Sequence, residues 1–400
     1  MTHYAADAEP AEMERIRATV RGFADACDFA SMTMTDYLGR RFDAGLAWVD
    51  YPVGQGGLGL ARSLQGRLES ALREAGGPAV DVYRNPIGTG MGAPTVAVHG
   101  TAAQRQRLLR PLWTGEEIWC QLFSEPDAGS DLAGVFTRAV RDGDAWVING
   151  QKVWTSYAHK ARWAMLLART DPTVRKHQGL TYFVLDMTSP GVEVRPLRQA
   201  NGQAEFNEVF LTDVRIPDAM RLGDEGQGWE VARTTLMNER TSIGGREAQR
   251  DEGYIGRLLA AWRERPELRT PAGYYHLMQV WADVEASRLT NERTRQALRT
   301  GAPGLEGSGA KVTFAKNNQA VTRLWAQLDP QGGLTYDNWS VDTGTAPSHR
   351  PGMYHYLRSR ANSIEGGTSE ILLGLIADRV LGLPKEPNPT ATLAWQDIPK

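Results

Sequence analysis

Leu122-Phe-Ser-Glu-Pro-Asp-Ala-Gly-Ser-Asp-Leu-Ala-Gly134, followed by Asn149-Gly-Gln-Lys-Val-Trp-Thr-Ser156, decides how this chain is read. Each segment is polar and interrupted by glycine, and an alternating hydrophobic stretch joins the two. Backbone amides and small hydroxyls approach a flat heterocycle closely, so Gly129 and Ser130 suit its polar edge. The indole of Trp154 suits a ring face, and Ser156 adds a hydroxyl nearby. Together the segments read as a surface for a planar cofactor. The competing reading is a turn between strands, with Trp154 as a core aromatic.

Composition narrows the class. The chain has 400 residues and a net charge of −2. That length exceeds one simple core and predicts two or three domains. Lys and Arg are scattered, with no basic block, which argues against nucleic acid and against a polybasic membrane surface. The polar N-terminus carries no apolar signal-peptide core, and no apolar run approaches ~20 residues. Cys27 and Cys120 lie far apart, and the seven His show no paired ligand spacing, so neither a disulfide framework nor a metal site is expected. A soluble, cytoplasmic protein is the expectation.

Texture divides the chain in three. Met13, Ile16, Val20 and Phe23, then Leu64, Leu68 and Leu72, recur at helical spacing. Thr101 is placed to cap a following helix. From about Ile118 to Leu222 the pattern changes to short β-branched and aromatic runs: Ala145–Ile148, Trp163–Ala168, Leu180–Leu185, Val192–Val194 and Glu208–Leu211. Gly, Asn, Asp and Pro punctuate them. Helical patterning then returns at Trp229–Ile243, Tyr274–Arg299, Gly309–Leu328 and Thr368–Leu381. Asp329–Met353 reads as a long loop, and the tail after Pro384 as extended. Gly88, Gly90 and Gly92 lack nucleotide-loop spacing and read as a close packing contact.

Several collinear motifs resemble the acyl-CoA dehydrogenase family. They are the two opening segments, Gly100-Thr101 with Gln104, Phe206-Asn-Glu-Val-Phe210 with Asp213-Val-Arg-Ile-Pro217, Thr235-Leu-Met-Asn-Glu-Arg240, and Gly366-Gly-Thr-Ser-Glu-Ile371. The resemblance implies an α+β multidomain fold: an N-terminal helical domain (1–117), a middle β-barrel domain (118–222) and a C-terminal four-helix bundle (223–400). It also implies FAD and the oxidation of an acyl-CoA thioester to the trans-2-enoyl-CoA. The implied acceptor is an electron-transfer flavoprotein, and the implied assembly a homo- or hetero-oligomer. Carried over residue by residue, flavin contacts fall on Gln121, Phe123, Ser124, Gly129, Ser130, Trp154, Ser156, Thr368 and Glu370, and substrate contacts on Ser130 and Arg240.

The chemistry needs a carboxylate base in a water-poor site and donors for the thioester oxygen. The resemblance assigns one donor to the backbone N–H of Gly366. Many members carry the base immediately before Gly-Thr, but that slot here is Gly366, and Glu365 lies one residue earlier. Leu236-Met-Asn-Glu239-Arg240 matches the alternative Leu-x-x-Glu-Arg motif without a gap. Glu239 is therefore the favoured base and Glu365 the alternative. Two features of the adenine end depart from the family pattern: its Arg-x-x-Phe-Gly-x-Pro-Ile motif is missing, and Asp329 opens the Gln-x-x-Gly-Gly loop. These departures resemble a bacterial branch whose members share FAD sites between unlike chains. A non-catalytic partner subunit and a related flavin monooxygenase or oxidase stand as alternatives.

Overall fold

Helix, sheet and helix succeed one another along the chain. The structure, a computed structural model, describes residues 8–81, 84–244, 249–299, 306–331 and 352–399. Five helices come first: α1 (Ala8–Asp25), α2 (Met34–Asp43), α3 (Gln65–Glu74), α4 (Ala93–His99) and α5 (Ala102–Thr114). Ile16, Val20, Phe23, Leu64, Leu68 and Leu72 meet in one buried cluster with Tyr37 and Leu38 of α2. Thr101 caps α5 reciprocally with Gln104, and the helix stops at Gly115, where φ is 71°. Gly88–Gly92 forms a single π-turn leading into α4. A Cβ at Gly88 would stand 2.4 Å from the Asn85 amide, and one at Gly92 3.1 Å from the Trp119 ring, so close packing accounts for both glycines.

The sheet contains β1 (Trp119–Leu122), β2 (Arg138–Asp142), β3 (Ala145–Ser156), β4 (Trp163–Arg169), β5 (Leu180–Asp186), β6 (Val192–Pro196), β7 (Phe206–Pro217) and β8 (Arg221–Leu222). Its order is β6-β7-β3-β2-β4-β5-β8, with β1 paired parallel to β4. Successive strand side chains face opposite ways, and β4 shows the consequence. Ala164, Leu166 and Ala168 enter a cluster on the inner face of the sheet. Trp163, Met165 and Leu167 face outward and pack with Val96 of α4 and Leu108, Leu109 and Leu112 of α5. β1 divides the same way: Cys120 and Leu122 turn inward, Trp119 and Phe123 outward. Gln121 lies on the outward register, facing the helices.

The second helical part contains α6 (Gly228–Gly244), α7 (Gly253–Glu264), α8 (Pro271–Arg299), α9 (Glu306–Leu328), α10 (Gly352–Ser359) and α11 (Ser369–Arg379). Val231 and Ala232 join α6 to the core between sheet and helices. Leu258 of α7, Leu277 of α8 and Val321, Leu324 and Trp325 of α9 form a separate cluster. Most of the Asp329–Met353 stretch lies outside the described residues. The tail beyond Pro384 is irregular, as expected, but it returns to the sheet. Ala394 bridges to Arg175, and the Arg169 guanidinium lies 4.6 Å from the Trp395 ring. No helix among the described residues is long and apolar enough to cross a membrane.

Candidate active site

The two opening motifs are fastened to each other. Val153 N–H donates to the Ser124 carbonyl at 2.9 Å. Beneath them the fully buried Lys152 Nζ donates to Glu125 Oε1 at 2.8 Å and to the carbonyls of Phe123 at 3.0 Å and Leu167 at 2.8 Å. Glu125 also accepts the N–H groups of Phe136 at 2.6 Å and Thr137 at 2.9 Å. Burial raises the Glu125 carboxyl, but Lys152 and these donors more than offset it, holding the group below its ordinary range. For Lys152 burial prevails and pulls the ammonium down. The pair fixes the Ser-Glu-Pro turn against β3, so the ligand-facing atoms stand on a rigid base.

Above that base the surface is open. Gly129 has free space where a Cβ would be, so packing within the chain does not explain its missing side chain. Gly129 and Ser130 are exposed, and Ser124 and Ser156 are half-buried. Trp154 is 60% exposed and sits at φ 60°, a left-handed conformation unusual for an aromatic residue. Its ring meets Phe206 edge-on at 6.2 Å. Phe123, in contrast, is buried with its ring against Tyr182, so its side chain serves packing.

Across from this surface stands α6. Gln121 Nε2 donates to Glu239 Oε2 at 3.3 Å, joining a residue expected at the flavin edge to the favoured base. Gln121 Oε1 is buried and has no hydrogen-bond donor among the described residues, and Thr155 Oγ1 is in the same position. Buried orphan acceptors of this kind, an unfilled glycine face and an exposed indole fit a flat ligand that carries its own donors, as a flavin does. One turn back on α6, Thr235 is fully buried and bonded to Thr95 Oγ1 and Tyr182 OH, each at 2.9 Å. These bonds fix the rotation of α6 and hence the direction of Glu239. Arg240 follows on α6, but its side chain lies outside the described residues.

The third component is the turn before α11. Gly366 and Gly367 have φ values of 65° and 92°, which side chains resist, and this explains the glycine pair. Thr368 caps α11 by accepting from Ile371 N–H at 3.2 Å, and Glu370 stands exposed in the first helical turn. Glu365 is fully engaged: Arg358 donates to it at 3.0 and 3.2 Å, and Asn362 at 2.6 Å. Arg358 also reaches Glu205 at 3.6 Å and lies 5.7 Å from the Phe206 ring, tying this turn to the Trp154–Ser156 end of β3. Sequence reading missed Glu125–Lys152, Arg358 and Lys311 as site-forming residues. For Lys152 the available signal was a charge inside an otherwise strand-like segment; Arg358 and Lys311 carried no such local signal. Asp329, in the expected Gln slot, is taken by Arg265 at 2.5 Å.

Comparison with known proteins agrees with this architecture. Residues 120–214 match the acyl-CoA dehydrogenase middle domain, and residues 226–381 the acyl-CoA dehydrogenase C-terminal domain. The acyl-CoA dehydrogenase IpdE1 of Mycobacterium tuberculosis is 34% identical over 394 residues, 94% of this chain and 99% of that protein. The acyl-CoA dehydrogenase FadE34 of the same organism is 41% identical over 302 residues, 73% of this chain but only 39% of its own length. Among solved structures, the ChsE4-ChsE5 complex from Mycobacterium tuberculosis superposes with a TM-score of 0.69 at 24% identity, over 96% of this chain and 100% of that one.

Proposed function

This chain belongs to the acyl-CoA dehydrogenase family of flavoenzymes, and from that premise we propose that it removes an α-proton from a CoA thioester with Glu239 as base. The observation that carries the assignment is the contact between Gln121 and Glu239, set against the engagement of Glu365 by Arg358 and Asn362. A base must be free to take a proton, and a carboxylate held by a guanidinium and an amide is a poor acceptor. Glu239 accepts a long hydrogen bond, 3.3 Å, from the neutral Gln121 amide of β1.

Gln121, Ser124, Gly129, Ser130, Trp154 and Ser156 would hold FAD, which would supply the acceptor for the β-hydride. The chain's own residues do the remainder. Trp154 covers a ring face and excludes water. The Gly366 N–H meets the thioester oxygen as negative charge develops there. Thr368 and Glu370, at the start of α11, lie where unpaired backbone N–H groups receive the phosphate-bearing part of the cofactor. Ser130, on the exposed rim, and Arg240 contact substrate. Another subunit of a homo- or hetero-oligomer would complete the altered adenine end, and an electron-transfer flavoprotein would be the electron acceptor.

Anaerobic flavin reduction in single turnover tests the assignment. A panel of straight-chain, branched and polycyclic CoA thioesters identifies a substrate first. Glu239→Gln then slows reduction by about 10²–10⁴-fold, the usual contribution of a positioned base. Glu365→Gln changes it by less than about threefold. The reverse pattern transfers the role to Glu365.

A further inference from the structure

Lys311 is a cation that neither the family reading nor the mechanism uses, yet it is 1% exposed. An ammonium is buried at such cost only where something in the site requires it. Its Nζ donates to the Gly367 carbonyl oxygen. Burial lowers its pKa, while the carboxylates of Glu365, Glu239 and Glu370 act to raise it, placing both candidate bases within its field. Glu365 is already met by Arg358, and Glu370 is exposed. Glu239, on α6, is half-buried and accepts a hydrogen bond from the Gln121 amide.

Lys311 is also the end of a ladder. Asn318 Nδ2 donates to Asn362 Oδ1 at 3.3 Å, Gln319 Nε2 donates to the Ser359 carbonyl at 3.2 Å and to Ser363 Oγ at 3.1 Å, and Thr322 Oγ1 meets Ser359 Oγ at 2.9 Å. Positions 311, 315, 318/319 and 322 share one face of α9, so this face fastens the segment from Ser359 to Gly367. The site end of the ladder is Lys311.

We propose that Lys311 is a positioning residue: it pins the Gly366–Gly367 turn so that the Gly366 N–H faces the thioester oxygen, and it holds a positive charge beside Glu239. This rests on the reading of Glu239 and Gly366 given above. The glycine pair needs such a pin, because two residues at positive φ gain mobility readily once released.

Two measurements on the full chain, one of them independent of turnover, test it. In backbone amide exchange, Lys311→Met speeds exchange across Gly366–Leu372 at least tenfold (on the order of one lost hydrogen bond) and leaves α8 unchanged. Lys311→Arg restores protection to within about threefold of the wild type. Unchanged exchange in the turn of Lys311→Met overturns the pin. In flavin reduction by the thioester found active, Lys311→Met lowers the limiting rate by about 10–10²-fold, less than the ~10²–10³-fold cost of deleting an oxyanion donor because the Gly366 N–H is displaced and not removed, with KM moved less than about threefold. The acid limb of its pH profile moves to higher pH, because the lost cation had favoured the Glu239 carboxylate. Glu365, Arg358, Glu370 and Gln121, the other groups facing this space, are unchanged in the variant. Lys311→Gln, which keeps a donor without charge, separates the roles and serves if Lys311→Met fails to fold: exchange stays protected while the acid limb still moves. An unmoved limb in both variants overturns the electrostatic part. Absence of flavin reduction by every thioester in the wild-type holoenzyme refutes the dehydrogenase assignment, and the exchange result then still decides the pin.

Discussion

The site is built from two halves that are held in different ways. The half on the sheet, from Ser124 to Ser156, is anchored by a buried ion pair with hydrogen bonds to two carbonyls and two amides around it. The half on the helices, from Glu365 to Glu370, is anchored by Lys311 and by an Arg358–Glu365 pair whose side chains are 24% and 28% exposed. The first resembles a core feature and the second a fastened loop. In the proposed reading such a division suits a flavoenzyme, with the cofactor's ring on the stiff half and substrate admitted on the looser one. Segments of low local stability are also where binding and release are accommodated.

The largest expected effect attacks the stiff half. Lys152→Met leaves the Glu125 carboxylate buried without its counter-charge, and unfolding free energy falls by about 3–5 kcal/mol. Glu125→Gln is destabilised by a similar amount, because its single amide oxygen accepts from only one of the Phe136 and Thr137 N–H groups and the buried Lys152 loses its counter-charge. Denaturant unfolding of the two variants checks this, and a loss below ~1 kcal/mol for Lys152→Met removes the distinction between the halves. Acid sharpens the same point. Glu125 has a folded pKa below its ordinary value, so its contribution is complete above the unfolded value of about 4.3 and is lost as pH falls through the folded one. Stability measured from pH 5 downward therefore declines less steeply in Glu125→Gln than in the wild type.

A smaller effect is expected on the fastened half. Arg358→Gln costs about 1 kcal/mol, since the pair it breaks is partly solvated, and releases Glu365 from its strongest partner. The comparison then predicts a functional sign: Glu365→Gln becomes consequential only in the Arg358→Gln background. Flavin-reduction rates of the double variant against each single one measure the coupling, and purely additive rates break that prediction.

This contrast also explains how much of the molecule was legible in the sequence. Ile16, Val20 and Phe23, or the alternation along β4, are patterned by burial, which acts locally, so these elements could be read directly. Strand β2 was missed because Arg138, Val140, Arg141 and Asp142 are exposed and only Ala139 is buried. Its pairing with β3 comes from the turn at Gly143, not from its own texture. In the candidate site, Gly129, Ser130 and Trp154 could be proposed from sequence because local chemistry and family motif coincide. Arg358 and Lys311 could not, because each matters through a partner distant in sequence or across a turn, and nothing in a neighbouring residue announces the contact. The tail shows the same limit: Trp395 lies at the end of a polar stretch, yet its Nε1 donates to the Gly134 carbonyl at 3.3 Å.

The smallest stability effect is expected at Trp154, and there the two readouts should diverge. An aromatic side chain held at φ 60° carries conformational strain of about 1–2 kcal/mol. With 60% of its surface exposed, the indole recovers little of that through burial. Trp154→Gly relieves the strain and gives up the edge contact with Phe206, so unfolding free energy moves by less than about 1 kcal/mol in either direction. If the strain exists to present the ring to flavin, the same variant weakens flavin retention by up to about tenfold, the upper end of what a lost aromatic stack is worth. Thermal melts of flavin-free protein, paired with flavin titration by fluorescence quenching, separate the quantities. A loss of several kcal/mol in stability would make Trp154 a packing residue and return the Gly129–Trp154 surface to an ordinary strand-and-turn feature.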